Sequence, residues 1–185
     1  FGKVYEYFMG KFARNLGQKG GEFYTPRCVV ELLVEMIEPF NGKVYDPCCG
    51  TGGFLVSAMQ RMFKMAGNDM DKREHIRKHQ ICGCELRSDI FTYACSSMRF
   101  RGDGKSNLYN GDCFHYAKNI AENHKPTVAF LNPPYDVGTA GQMRFVEHAL
   151  NVLDKKANGR VVAIVQMSCA TKNDKDLKVV RASIL

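Results

Sequence analysis

The chain contains no apolar run approaching the roughly 18 residues needed to cross a bilayer, and no secretory leader pattern. A soluble, cytoplasmic protein with no membrane partner is the expectation. None of its eight cysteines has a partner at the two-residue spacing of a zinc ribbon. Cys48 and Cys49 are adjacent, and Cys82 and Cys84 are one residue apart. No metal is therefore expected, and the thiols read as small hydrophobes in a reducing compartment. His75 and His79 share a helix face if their stretch is helical. They lack the zinc-protease pattern and sit among charges, so a solvated basic face is the reading. Gly104-Lys105-Ser106 is no phosphate-binding loop, because the first glycine of that motif would fall on Arg99. Proline is scarce, at six residues, yet two are consecutive at 133 and 134.

That pair belongs to Asn132-Pro133-Pro134-Tyr135, which follows the apolar run 127–131. Proline fixes its own φ and pushes the preceding residue toward extended backbone. Asn132 and Pro133 are both stiffened in this way. The Asn132 side chain and the Pro133 carbonyl become fixed acceptors beside the Tyr135 ring, a grip suited to a flat molecule carrying an amino group.

A length of 185 residues suits one domain with a sizeable core. The net charge of +7 and pI near 9.0 are compatible with a polyanionic partner. Val4, Phe8, Phe12 and Leu16 recur at four-residue spacing and predict an amphipathic helix over 3–16. Thr25-Pro26 reads as an N-cap followed by proline at the first helical position. Strands are expected at 43–46, 80–84, 108–112, 127–131 and 160–166. Helices are expected after Pro26, from Phe54, over 88–99 and over 145–153, with 67–80 a loop or a helix end. Strands alternating with helices imply an α/β fold built on a mostly parallel sheet with helices on both faces. Ligands of such sheets bind at the carboxyl ends of strands, near the switch in strand order. The unusual residues fall there: Asp46 through Gly53, Glu85, Asp112 and Asn132.

Gly50, Gly52 and Gly53 make a strand-to-helix turn that lets backbone approach a ligand. An acid at the second strand tip, here Glu85, commonly takes ribose hydroxyls, although a carboxylate at a helix N-terminus has the same appearance. Asp112 is either an acceptor for an adenine amino group or a turn residue.

Together these stretches resemble the amino-methylating DNA methyltransferases that use S-adenosylmethionine, and among them the modification subunit of type I restriction-modification systems. Gly21-Glu22-Phe23-Tyr24-Thr25-Pro26 resembles the family's upstream cofactor segment. Asp46-Pro47-Cys48-Cys49-Gly50-Thr51-Gly52-Gly53-Phe54 resembles its glycine motif, Gly83-Cys84-Glu85 its acidic motif, and Asn132 to Tyr135 its catalytic motif. The resemblance implies a Rossmann-like class I methyltransferase fold, with 1–20 ending a helical region and 21–185 forming the catalytic domain. It implies that Phe23, Tyr24 and Thr25 line the methionine and adenine end of the cofactor. Asp46 and Thr51 to Gly53 would face the amino-acid moiety, Glu85 the ribose and Asp112 the adenine. It further implies adenine N6 in DNA as the methyl acceptor, with specificity and nuclease subunits as partners. Two departures stand out: cysteines at 48 and 49, and no later strands or target-recognition region, as in a fragment of something longer. Lys72-Arg73, Arg77-Lys78 and Lys172-Lys175-Lys178-Arg181 are the candidate DNA contacts. Cytosine N4, a protein glutamine, an RNA guanine and a non-catalytic scaffold are the competing readings.

Overall fold

The computed structural model describes residues 25–39, 42–102 and 107–184. The expected helix over 3–16 and the segment Gly21 to Tyr24 lie outside them. In chain order the elements are α1 (Arg27–Ile37), β1 (Val44–Asp46), α2 (Gly53–Ala66), α3 (Met70–His79), β2 (Ile81–Glu85) and α4 (Ser88–Phe100). There follow β3 (Asn107–Asn110), α5 (Cys113–Asn123), β4 (Val128–Leu131), a 3-10 turn (Tyr135–Val137), α6 (Gly138–Val152), β5 (Arg160–Ala163), α7 (Ser168–Thr171) and α8 (Lys175–Ile184).

The five strands form one sheet of order β3-β2-β1-β4-β5, and every pairing is parallel. The pleat sends alternate side chains to opposite faces, and the core divides accordingly. Val44, Ile81, Val128 and Phe130 join residues of α1, α2, α3 and α4 on one face. Tyr45, Cys82, Cys84, Ala129 and Leu131 join α5 and α6 on the other. Gly83 is required by close approach: a Cβ there would stand 2.7 Å from Leu55 Cδ1. Cys49, Cys82, Cys84, Cys113 and Cys169 are buried free thiols, as expected of packing residues.

Several boundaries differ from the sequence expectation. Residues 70–79 form a separate helix, anchored by Ile76 and capped by Asp69, whose carboxylate accepts from the Lys72 N–H. Helix α6 begins at Gly138 rather than near residue 145, and β5 stops at Ala163. β3 stops at Asn110, and a helix not foreseen follows from Cys113. Thr25 is not a cap: Pro26 holds the N-cap position of α1 with no side-chain cap bond.

Candidate active site

The order β3-β2-β1-β4-β5 places its reversal between β1 and β4, so the tips of these two strands open the crevice where such sheets bind ligands. Asp46 ends β1, and Asn132 follows β4 directly. The Asp46 carboxyl is 2% exposed, and its Oδ1 accepts from the Cys48 N–H at 3.1 Å. Burial, the largest cause, pushes this carboxyl up to about 8; the Cys48 N–H opposes the shift and the negative charge of Glu85 adds to it. No cation is among the groups acting on Asp46 among the described residues.

Glu85 ends β2 and is 8% exposed. Its Oε2 accepts from the Gly50 N–H and its Oε1 from the Arg87 N–H, each at 2.9 Å. The carboxylate thus ties the glycine turn to the start of α4. The Cys49 N–H adds a bond of 2.8 Å to the Cys84 carbonyl. Gly52 caps α2 at φ 83°, in the left-handed region. Among the described residues nothing lies within 4 Å of where a Cβ would stand on Gly50 or Gly53. Pro47 is buried beneath it and Thr51 is half-buried.

In the turn from Asn132 to Tyr135, Pro133 is buried, while Asn132, Pro134 and Tyr135 are half-buried. Asn132 Nδ2 donates to Thr25 Oγ1 at 2.9 Å. Asn132 Oδ1 is buried with no partner among the described residues. A buried acceptor left unsatisfied costs about 1–3 kcal/mol, so this oxygen is a place where a ligand donor is worth most.

Asp112 follows β3, and its charge acts on Cys84 together with those of Asp46 and Glu85. It is exposed and caps α5, its Oδ1 accepting from the Phe114 N–H at 3.0 Å. Pro26 contributes as the rigid entry to α1, with its carbonyl accepting from Val29 and Val30.

Some contacts near the site were not legible beforehand. Gln142, fully buried on α6, donates from Nε2 to Gln166 Oε1 at 2.9 Å and accepts from the Gln166 N–H at 3.0 Å. Cys169 Sγ also lies 3.6 Å from Gln142 Oε1. This bond set braces the segment after β5 against the helix that leaves the Asn132 turn. A glutamine on a helix gives no local signal of such a partner.

The basic stretches separate. The end of α3 leads into β2 at the amino edge of the sheet, opposite the crevice, so Arg77 and Lys78 lie far from the strand tips. Arg73 and Arg77 stack over Phe63, while Lys72 pairs with Asp69 and Lys78 with Glu74. Lys172, Lys175 and Lys178 are exposed beyond the carboxyl end of β5, where Arg181 donates to the Lys172 and Ala170 carbonyls.

A parallel sheet of this order, with a glycine turn and an acid at adjacent strand tips, defines a doubly wound α/β domain of the cofactor-binding type. More particularly, the chain belongs to the N-6 DNA Methylase family, whose model matches residues 1–174. It is 35% identical over 188 aligned residues to the type II restriction enzyme and methyltransferase RM.BcgI of Heyndrickxia coagulans, covering 96% of this chain and 29% of that protein. It is 35% identical over 136 residues to the type I restriction enzyme HindI methylase subunit of Haemophilus influenzae, covering 73% of this chain and 29% of the relative. A type I restriction-modification methyltransferase subunit of Streptococcus thermophilus shares the fold at a TM-score of 0.73 and 20% identity. That match covers 99% of this chain and 42% of the other. The resemblance and the Rossmann-like fold expected from the sequence are borne out; the chain spans under a third of the two curated relatives.

Proposed function

We propose that this chain carries the catalytic centre of a DNA methyltransferase that uses S-adenosylmethionine to methylate adenine N6, as the modification subunit of a type I restriction-modification system. The observation that carries the reading is the Asn132 amide: its NH2 is engaged by Thr25, and its buried oxygen has no donor among the described residues. An aryl amine brings the missing donor.

The cofactor fits the residues present. Two adjacent buried carboxylates, Asp46 and Glu85, favour a ligand bearing positive charge, and S-adenosylmethionine carries an ammonium and a sulfonium. Among the described residues nothing crowds the turn at Gly50 and Gly53, where the cofactor would lie. Asp46 would hold the ammonium and Glu85 the ribose hydroxyls. Gly21 to Tyr24 and Pro26 complete the proposed cofactor segment, with Asp112 assigned to the adenine ring. When bound, the cofactor supplies an electrophilic methyl group.

The remaining work falls to the turn. The lone pair of an exocyclic adenine amine is spread into the ring and is a poor nucleophile. Accepting one N–H at Asn132 Oδ1 and the other at the Pro133 carbonyl draws that lone pair back onto nitrogen. Pro134 keeps this carbonyl fixed, and Tyr135 stacks on the base. The contribution is positioning and preorganised electrostatics, with no side chain acting as general base. The base must leave the duplex to reach the turn. Lys172, Lys175 and Lys178 lie on the crevice side and are the better candidates for phosphate contact; Arg77 and Lys78 are placed on the opposite edge. Specificity and nuclease subunits are the proposed partners.

The test is a labelled-methyl assay on DNA, ribosomal RNA and a release factor, with the DNA product digested to nucleosides. N6-methyladenine in DNA is the expected product. N4-methylcytosine, or label confined to RNA or protein, contradicts the assignment. Absence of S-adenosylmethionine binding by calorimetry leaves only a scaffold.

A further inference from the structure

Thr25 makes a contact that its place in the chain does not explain. It begins no cap, yet its hydroxyl meets the Asn132 amide at 2.9 Å across 107 residues of sequence. The two ends of an asparagine amide have nearly the same shape and opposite hydrogen-bonding character. An amide turned over by half a rotation would present N–H to the incoming amine, donor against donor. Its plane also has to hold still, because the acceptor direction at an amide oxygen lies near that plane.

We propose that Thr25 is a positioning residue for the transfer: its hydroxyl anchors the Asn132 amide and fixes its plane, so that Oδ1 can face the substrate amine. This rests on the reading of Asn132 as the acceptor. A hydroxyl can also donate, so the Thr25 bond by itself tolerates either amide orientation. The substrate breaks the tie, since only Oδ1 facing the amine leaves every donor matched. Thr25 then contributes the fixed plane and a second anchor for the NH2 group.

The local backbone suits this role. Pro26 follows, with φ −57° and ψ 138°, and a residue before proline is restricted to extended geometry. Helix α1 is in turn seated in the core by Val30, Val34 and Ile37. The hydroxyl is thus connected to the sheet by a short, stiff path. Asn132 is held equally firmly between β4 and Pro133.

The resemblance assigns Thr25 to the cofactor instead, and the two roles part experimentally. Thr25→Val removes the hydroxyl at nearly constant volume, Thr25→Ala removes it if valine disturbs folding, and Thr25→Ser restores it. Each is made in the intact enzyme and assayed with DNA and S-adenosylmethionine. For Thr25→Val, kcat should fall about tenfold, the scale of one lost neutral hydrogen bond. The dissociation constant for S-adenosylmethionine should hold, and Thr25→Ser should recover most of the rate. Cofactor affinity that falls as much as kcat overturns the proposal in favour of a cofactor contact. Wild-type kcat in Thr25→Val and Thr25→Ala also overturns it. Asn132→Ala run alongside separates the two levels of inference. If that variant is active, the reading of Asn132 itself is wrong. If it is inactive while Thr25→Val is unimpaired, only the role of Thr25 is lost.

Discussion

The proposed contact of Asp46 with a cationic cofactor makes binding depend on pH, with a sign set by the burial of the carboxyl. That carboxyl is raised to about 8 and so holds a proton in the free domain at pH 7 and below. An ammonium placed beside it favours the ionised form, so binding below pH 8 must release that proton. Affinity then rises with pH, by up to about tenfold per unit, from pH 6 toward 8. At pH 6 only about 1% of the free carboxyl is ionised and at pH 8 about half, which sets a ceiling of roughly 50-fold on the change between pH 6 and 8. Above pH 8 the ligand's own α-amino group, with a usual value of about 7.7–8.0, loses its charge and bends the profile downward. Calorimetry in two buffers of different ionisation enthalpy reads the released proton directly. Asp46→Asn should weaken binding at pH 8 and flatten the rising limb. Flat wild-type affinity from pH 6 to 8 with no proton release would refute the reasoning. So would a rising limb that survives in Asp46→Asn. The same shift predicts that the ligand-free domain loses stability as pH rises from 3.8 toward 8, because the folded state holds the proton more tightly than the unfolded chain.

Gly83→Ala places a methyl group 2.7 Å from Leu55 Cδ1 and should cost about 1–3 kcal/mol through overpacking between β2 and α2, read by chemical denaturation. Gln142→Met keeps the volume but leaves the Gln166 N–H without its acceptor. A loss of about 0.5–1.5 kcal/mol is expected, and unchanged thermal stability would show that the brace after β5 contributes nothing. Gly52→Ala puts a side chain at φ 83°, and about 1–2 kcal/mol of backbone strain should appear as a lower melting temperature.

Much of the candidate site is legible because its signals are local. Asp46, Glu85 and Asn132 each sit where a short apolar run meets a turn, and parallel sheets send such positions to one edge. The adjacent prolines and the glycine turn announce fixed backbone in the same way. Pairings over long sequence distance were not legible. Thr25 before Pro26 looks like an ordinary cap, and only the folded chain shows its hydroxyl on Asn132. Gln142 gives no local sign of its bonds to Gln166, and nothing near Asp112 announces that it caps α5. The stretch 67–80 reads only as a loop or a helix end because helix α3 within it buries Ile76 alone and is otherwise mostly charged. The start of α6 was obscured by Gly138 and Gly141, which disfavour helix by propensity; tertiary packing overrides them.

The account stands most directly on Asn132, whose orphaned oxygen is assigned to the amine that accepts the methyl group. The decisive measurement is single-turnover methylation of DNA by Asn132→Ala in the intact enzyme, with S-adenosylmethionine affinity measured on the same preparation. The account predicts loss of N6-methyladenine formation with cofactor affinity largely retained. Methylation at a near-native rate would contradict it.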